Sequence, residues 1–292
     1  MRTFAFPINE EHSGMRVGDI LKRMRISSRL LPELKRTGGI LLNGKNVTVR
    51  ETVTTGDIVE AVLYEEAPSE NIVPVDMPLD IIYEDEDILA VSKPKDMPIH
   101  PSAYNYDNTL ANGVMHYYRG KTFVFRPITR LDRDTTGVVI IAKNRLSAAI
   151  LTDEMKNGEI KKTYLAYLSK TPENEEGVIN APIERCPDSV IKRRVGEGGK
   201  SAETVYKVIK KCADGTCIAR VFPITGRTHQ IRVHMAHIGC PLKYDYLYAT
   251  EIEGETLYLH CFSVELCHPI TGEKLTISCN PPKDGELSQH LS

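Results

Sequence analysis

Apolar residues recur along the chain at two different periods, and the change from one to the other divides the sequence. Val17, Ile20, Leu21 and Met24 share one helical face, and Leu30, Leu31 and Leu34 form a second short stretch after Ser27-Ser28, so two short helices are predicted between residues 17 and 36. Gly38-Gly39 stops the second helix, and Ile40 to Lys45 followed by Val47-Thr48-Val49 reads as a hairpin turning at Asn43-Gly44. Residues 65 to 78 are acidic, hold Pro68, Pro74 and Pro78, and keep no period, which predicts a linker. Beyond it short β-rich runs recur at Ile88 to Val91, Val138 to Ala142, Lys162 to Leu168, Val205 to Ile209, Ile218 to Phe222 and Tyr258 to Val264, with a helical pattern at Ser147 to Met155. Strands and helices mix without regular β-α-β repetition and without a Gly-x-Gly-x-x-Gly turn. This predicts an α+β fold with a mixed, largely antiparallel sheet over residues 79–292, a linker at 65–78, and a small N-terminal α/β module over 1–64.

Two polar clusters interrupt this pattern. Arg130-Leu131-Asp132-Arg133-Asp134-Thr135-Thr136-Gly137 runs directly into the apolar, β-branched Val138 to Ala142, so Asp132 sits at the mouth of a buried strand, where chemistry is often placed. Taken alone, an Arg-x-Asp of this kind is more often a turn cap or a surface ion pair. The second cluster, Thr225-Gly226-Arg227-Thr228-His229-Gln230-Ile231-Arg232-Val233-His234, gathers hydrogen-bond donors behind a Gly-led turn.

Together with Lys93-Pro94, Lys162-Thr163-Tyr164-Leu165-Ala166, Leu259-His260-Cys261 and His268 to Glu273, these blocks resemble the RluA-type RNA pseudouridine synthases in order and spacing along nearly the whole chain. The family pattern reads His-Arg-Leu-Asp followed shortly by Thr-Ser-Gly; Thr129 stands for its His and Thr136 for its Ser, while Arg130, Leu131, Asp132, Thr135 and Gly137 match. Where the family has Gly-Asp after the second block, this chain has Tyr244-Asp245, which is expected to reshape a loop near the site.

A net charge of −2 conceals a strong segregation. Between Gly14 and Arg50 lie Arg16, Lys22, Arg23, Arg25, Arg29, Lys35, Arg36, Lys45 and Arg50 against Asp19 and Glu33 alone, whereas Glu51 to Ala90 holds no Lys or Arg. Clustered cations rather than mean charge give affinity for phosphate. The helix-helix-hairpin segment closing at Gly56-Asp57-Ile58-Val59 resembles the S4 RNA-binding module, and the positions that this resemblance assigns to RNA carry Arg29, Lys35, Arg36 and Lys45.

The implied reaction breaks the ribose C1′ to uracil N1 bond, turns the base and rejoins it through C5, with no net oxidation or hydrolysis, so neither cofactor nor metal is expected. An acid must sit against the ribose, as nucleophile at C1′ or as base at C2′, and Asp132 matches the family aspartate; both roles remain open. The resemblance implies that Arg227 pairs with that aspartate, since a nearby cation favours and orients a carboxylate. It also implies that Tyr164 stacks on the target base and is positioned to move a proton. Arg130, Arg133, His229 and Arg232 are the expected substrate contacts, with Lys143 and Lys192 to Arg194 as further basic candidates. A zinc site at His229, His234 and His237 lacks a carboxylate or cysteine at a supporting spacing, and neither Ser201 nor Cys217 lies in a nucleophile elbow.

The expected substrate is large-subunit ribosomal RNA, with transfer RNA as the alternative and a non-catalytic RNA-binding protein as the competing class. Seven cysteines without a C-x-x-C pair, and an N-terminus lacking a basic-then-apolar leader pattern, point to the cytoplasm. No apolar run approaches a membrane span, and nothing such as a heptad seam calls for self-association, so a soluble monomer is expected.

Overall fold

The computed structural model describes residues 1–64, 71–249, 257–283 and 287–288. The first six residues of the predicted linker, 65–70, lie outside them. The N-terminal part runs β1 (Arg2–Pro7), α1 (Val17–Arg23), α2 (Leu31–Thr37), β2 (Ile40–Leu42), β3 (Lys45–Asn46) and β4 (Ile58–Leu63). Helix, helix and hairpin follow the sequence pattern, and Asn43 and Gly44 both take the positive φ that the two-residue turn requires. The sheet order β1-β4-β2-β3 adds an N-terminal strand that the pattern did not signal, because Arg2–Pro7 buries only Phe4.

The larger part runs β5 (Asp80–Glu84), β6 (Ile88–Lys93), α3 (Leu110–Tyr117), β7 (Thr136–Ala142), α4 (Arg145–Lys156), β8 (Lys161–Leu168), β9 (Glu176–Asn180), β10 (Ile183–Arg185), β11 (Arg193–Val195), β12 (Glu203–Lys211), β13 (Cys217–Pro223), α5 (Gln230–His237), β14 (Leu259–Cys267) and β15 (Lys274–Ser278). Nine of these strands form one sheet in the order β5-β6-β7-β14-β8-β13-β12-β9, with β15 also on β14, while β10 and β11 make a separate hairpin. Every pairing is antiparallel except β7 with β14. All seven residues of β7 are buried, and Val138, Val139, Ile140 and Ile141 have no exposed surface. Full burial of such a side chain is worth about 1.5 to 3 kcal/mol, so β7 is an anchor for the loop that precedes it.

Gly137 permits the parallel contact. Its φ is 111°, and a Cβ there would lie 2.2 Å from the Cys261 carbonyl oxygen. Only glycine lets β14 approach so closely.

The two parts share a core. Leu146 and Ile150 of α4 are buried in the N-terminal hydrophobic cluster with Ile20, Leu21 and Leu34. Ion pairs frame the contact: Arg25 to Glu154 at 2.7 Å, Arg145 to Glu33, and Arg2 to the buried Asp87 at 3.0 Å. Residues 71–78 of the predicted linker lie along α3, where Asn112 Nδ2 donates to the Val73 carbonyl and the Val75 N–H donates to the Asn112 carbonyl.

Candidate active site

A cleft of about 800 Å³ opens where the loop before β7 faces β8 and the loop before α5. That volume suits a small-molecule or nucleotide-sized group. Thr129, Arg130, Asp132 and Thr135 line one wall, Lys162 and Tyr164 of β8 the floor, and Arg227, His229 and Arg232 the opposite wall.

Backbone and side-chain bonds fix the Asp132 loop from both ends. The Thr129 hydroxyl accepts from the Ile140 N–H at 2.9 Å, and the Thr136 hydroxyl pairs with His260 Nδ1 at 2.8 Å, so both residues that depart from the family pattern make buried structural bonds. Lys93, 1% exposed, donates to the carbonyls of Pro94, Met97 and Arg133 at 2.7 to 2.9 Å and so ties β6 to the loop. Burial pushes its pKa down to about 7, against the opposing pull of Asp134, Asp132 and Asp96. The Thr135 hydroxyl, buried beside Asp132, has no hydrogen-bond partner among the described residues.

The cation facing Asp132 is Arg232, which corrects the expected pairing with Arg227. Arg232 Nη1 lies 3.7 Å from Asp132 Oδ2, while its Nε and Nη2 make a bidentate pair with Asp245 at 2.8 and 2.7 Å. The guanidinium also lies over the rings of Tyr246 and Tyr248, and its charge is fixed more firmly than an ordinary arginine's by the two carboxylates. Arg227 instead lies exposed on the rim, with its Nε donating to the Ser201 carbonyl at 2.9 Å. The reason is helical geometry: Arg232 is on the inward face of α5, whereas Arg227 belongs to the turn before it, held out by Gln230, whose side-chain oxygen accepts from the Arg227 N–H and the Thr225 hydroxyl.

His229 caps α5 in the left-handed conformation, φ 57°, and its Nε2 is 3.9 Å from Asp132 Oδ2. The Tyr248 hydroxyl accepts from the Arg193 N–H at 2.9 Å and pairs with His229 Nδ1 at 3.0 Å. With its own proton given to Nδ1, that hydroxyl leaves the Nε2–H of a neutral imidazole facing Asp132. Burial lowers the His229 pKa, which favours the neutral ring.

Tyr164 is buried on β8 and lines the cleft. Burial, with Cys261 close by, raises its pKa well above the ordinary phenol value, so the hydroxyl keeps its proton and the ring offers the cleft a flat face.

The other sequence candidates separate. Arg130 lines the cleft and is exposed, whereas Arg133 turns away to Asp134 at 3.1 Å and Asp96 at 3.3 Å. Lys143 pairs with Glu84 at 2.7 Å, remote from the cleft lining. His229, His234 and His237 do not converge: both nitrogens of His234 are engaged, with Thr204 and the Ala181 carbonyl, and His237 is exposed. Arg29, Lys35, Arg36 and Lys45 are all exposed, and none forms an ion pair among the described residues.

Residues 87–237, from the start of β6 to the end of α5, match the family model described as RNA pseudouridylate synthase. The chain belongs to the RNA pseudouridine synthases. It is 38% identical over 92% of its length to the uncharacterized RNA pseudouridine synthase YjbO of Bacillus subtilis (strain 168), covering 96% of that protein. It is 35% identical over 95% of its length to ribosomal large subunit pseudouridine synthase D of Escherichia coli O6:H1, covering 90% of it. Among solved structures, human RNA pseudouridylate synthase domain containing 1 aligns with a TM-score of 0.60 and 26% identity, over 70% of this chain and 84% of that one.

For this pseudouridine synthase the residue that sequence reasoning passed over is Asp245. It has no exposed surface and holds Arg232 in place. Its signal was the Tyr244-Asp245 pair itself: Tyr244 adopts φ 61°, the left-handed region where glycine is unstrained, at a cost of roughly 1 to 2 kcal/mol.

Proposed function

We infer that this pseudouridine synthase acts on uridine in large-subunit ribosomal RNA, with Asp132 as the carboxylate that meets the ribose. The observation that carries the reading is a partly exposed carboxylate at the mouth of the most buried strand, facing a nucleotide-sized cleft and backed by Arg232. The target base cannot be reached inside a stack, so it is turned out into the cleft at a cost of a few kcal/mol. Tyr164 supplies the flat face against which it rests, and Arg232 orients Asp132 for either attack at C1′ or proton removal at C2′. His229 offers a further N–H donor on the same side, and Arg130 and Arg227 stand at the rim for flanking phosphates.

The ribosomal assignment is supported by relatives titled for the large ribosomal subunit that align over 95% of this chain, N-terminal part included. Residues 1–64 fit an S4-like RNA-binding domain, 79–292 the catalytic domain and 65–78 the connection. The order of helices and hairpin and the unpaired Arg29, Lys35, Arg36 and Lys45 support that division.

The test is tritium release from unmodified large-subunit ribosomal RNA and transfer RNA carrying tritium at uracil C5, with wild type and Asp132→Ala side by side. Joining C5 to C1′ expels the C5 hydrogen, so release by wild type on ribosomal RNA alone is the expected result. Release from transfer RNA alone would overturn the substrate assignment, and undiminished release by Asp132→Ala would overturn the role of Asp132.

A further inference from the structure

Lys162 lies on β8 two residues before Tyr164, so strand alternation carries both side chains to the same face, into the cleft. Its Nζ crosses toward the opposite wall: a Cβ added to Gly226 would meet that nitrogen at 3.9 Å and no other heavy atom within 4 Å. The ammonium thus reaches the Gly-led turn across the cleft and borders its open space. No hydrogen bond or ion pair engages Lys162 among the described residues, whereas Lys93 has three carbonyls and Lys143 has Glu84. A partly buried ammonium without a partner, facing a nucleotide-sized cleft, is a donor awaiting an acceptor.

We propose that Lys162 is the uracil-binding cation of the site, donating to a carbonyl oxygen of the turned-out base and stabilising the negative charge that the base gains when its bond to C1′ breaks. The inference rests on the pseudouridine synthase reading. When the C1′–N1 bond breaks, its electron pair stays with N1 and spreads onto the O2 and O4 oxygens. An ammonium fixed near one of them holds that charge without giving up its proton, while the ring turns to present C5. C5 then bonds to C1′ as the Asp132–C1′ ester breaks, or as the abstracted proton returns to C2′ in the other route; the C5 proton passes to solvent and N1 takes one up, so the change is an isomerisation. This role is independent of whether Asp132 attacks C1′ or removes the C2′ proton. It also fits Tyr164, which is buried on the same face of β8 and gives the base a flat surface to rest on, leaving the carbonyls to another donor.

Cys261 of β14 acts on Lys162 directly, and the titratable groups that share the cleft with it are Tyr164 of β8, Asp132 of the opposite loop, Arg227, His229 and Arg232 at and before α5, and Lys156 of α4. Burial lowers the Lys162 pKa below the ordinary lysine value. Cys261 and Tyr164 are both pushed upward by burial and remain neutral through that range. A rate that needs the ammonium thus falls as pH rises through the lowered pKa, and arginine, which stays charged, moves that limb upward.

The experiment is single-turnover tritium release from large-subunit ribosomal RNA transcribed with tritium at uracil C5, using wild type, Lys162→Arg, Lys162→Gln and Lys162→Ala. RNA binding and thermal unfolding are measured in parallel, and wild-type release that Asp132→Ala abolishes is the control for the underlying reading. With that control in place, Lys162→Gln is expected to lose about 100-fold to 1000-fold in rate with RNA affinity kept within about twofold. Lys162→Arg retains most of the rate with its alkaline limb displaced upward, and propylammonium, but not propanol, restores Lys162→Ala saturably. A Lys162→Gln rate within about threefold of wild type, or a loss shared equally by the charged arginine variant and unmoved by propylammonium, overturns the proposal while leaving the synthase assignment intact.

Discussion

Arg232 is held by one carboxylate and offered to another, and substitution separates the two roles. Both members of the Arg232–Asp245 pair are shut away from solvent, with side chains 1% and 0% exposed. Removing either strands the other charge in the interior, at a cost of about 3 to 5 kcal/mol. Arg232→Met and Asp245→Leu are each expected to lose that much stability, whereas the double variant recovers a large share, giving a coupling on the order of 2 kcal/mol or more in a double-mutant cycle. The contact with Asp132 differs in distance and surroundings. Two unit charges near 4 Å apart at an effective dielectric of about 20 interact by about 4 kcal/mol. The 3.7 Å contact and the 29% exposure of the Asp132 side chain make that an upper bound. If between half and all of it serves to orient the reacting carboxylate, Arg232→Met slows single turnover by about 30-fold to 1000-fold. The double variant regains stability but stays equally slow. Urea unfolding and single-turnover tritium release measure the two quantities independently. An Arg232→Met rate within about threefold of wild type would refute the assignment, as would a double variant that recovers rate together with stability. Arg227→Ala supplies the counter-test, because its exposed guanidinium is bonded to the Ser201 carbonyl. It is expected to weaken RNA binding with little change in the bound-state rate, and the reverse ranking of the two arginines would restore Arg227 as the partner of Asp132.

Two further variants, one single and one fourfold, test the frame of the site and the N-terminal basic face. Gly137→Ala places a Cβ 2.2 Å from the Cys261 carbonyl oxygen at φ 111°, and a loss of more than about 4 kcal/mol is expected; a variant that melts within a few degrees of wild type would show that β7 and β14 can part without penalty. Replacing Arg29, Lys35, Arg36 and Lys45 together by Ala should make the slope of log affinity against log salt less negative by about 3, at 0.7 to 0.9 per phosphate contact; an unchanged slope would mean that these side chains do not meet the RNA.

Strands and anchor residues were legible in the sequence because their signals are local. The β-branched run after Gly137 marks β7, and Asn43-Gly44 marks its hairpin, through chemistry that needs no distant partner. The α5 helix hid itself, since it buries Gln230, Arg232 and His234 as well as Ile231, Val233 and Met235, and so shows no apolar stripe. For the same reason the choice between Arg227 and Arg232 could not be made from spacing. What decides it is Asp245, far enough along the chain that only the folded loop brings its carboxylate to the guanidinium. β1, β5 and β9 were missed because each lies near a sheet edge and buries few residues.

α4 connects the two halves of the functional reading. Arg145, Leu146 and Ile150 pack or pair against the N-terminal part, while Met155 and Lys156 at the other end line the cleft. Twelve residues at 1.5 Å each make the helix about 18 Å long, so the proposed RNA-gripping face and the proposed reacting carboxylate are related by a packed helix rather than by the acidic connection alone. That distinction has an energetic consequence. A flexible tether would dilute the captured RNA over all the positions it could reach, whereas a shared core fixes one geometry and raises the effective concentration only of uridines that stand at the matching distance from the gripped strand. Selection among uridines can thus arise from spacing before any base edge is read, in keeping with RNA recognition through folded shape.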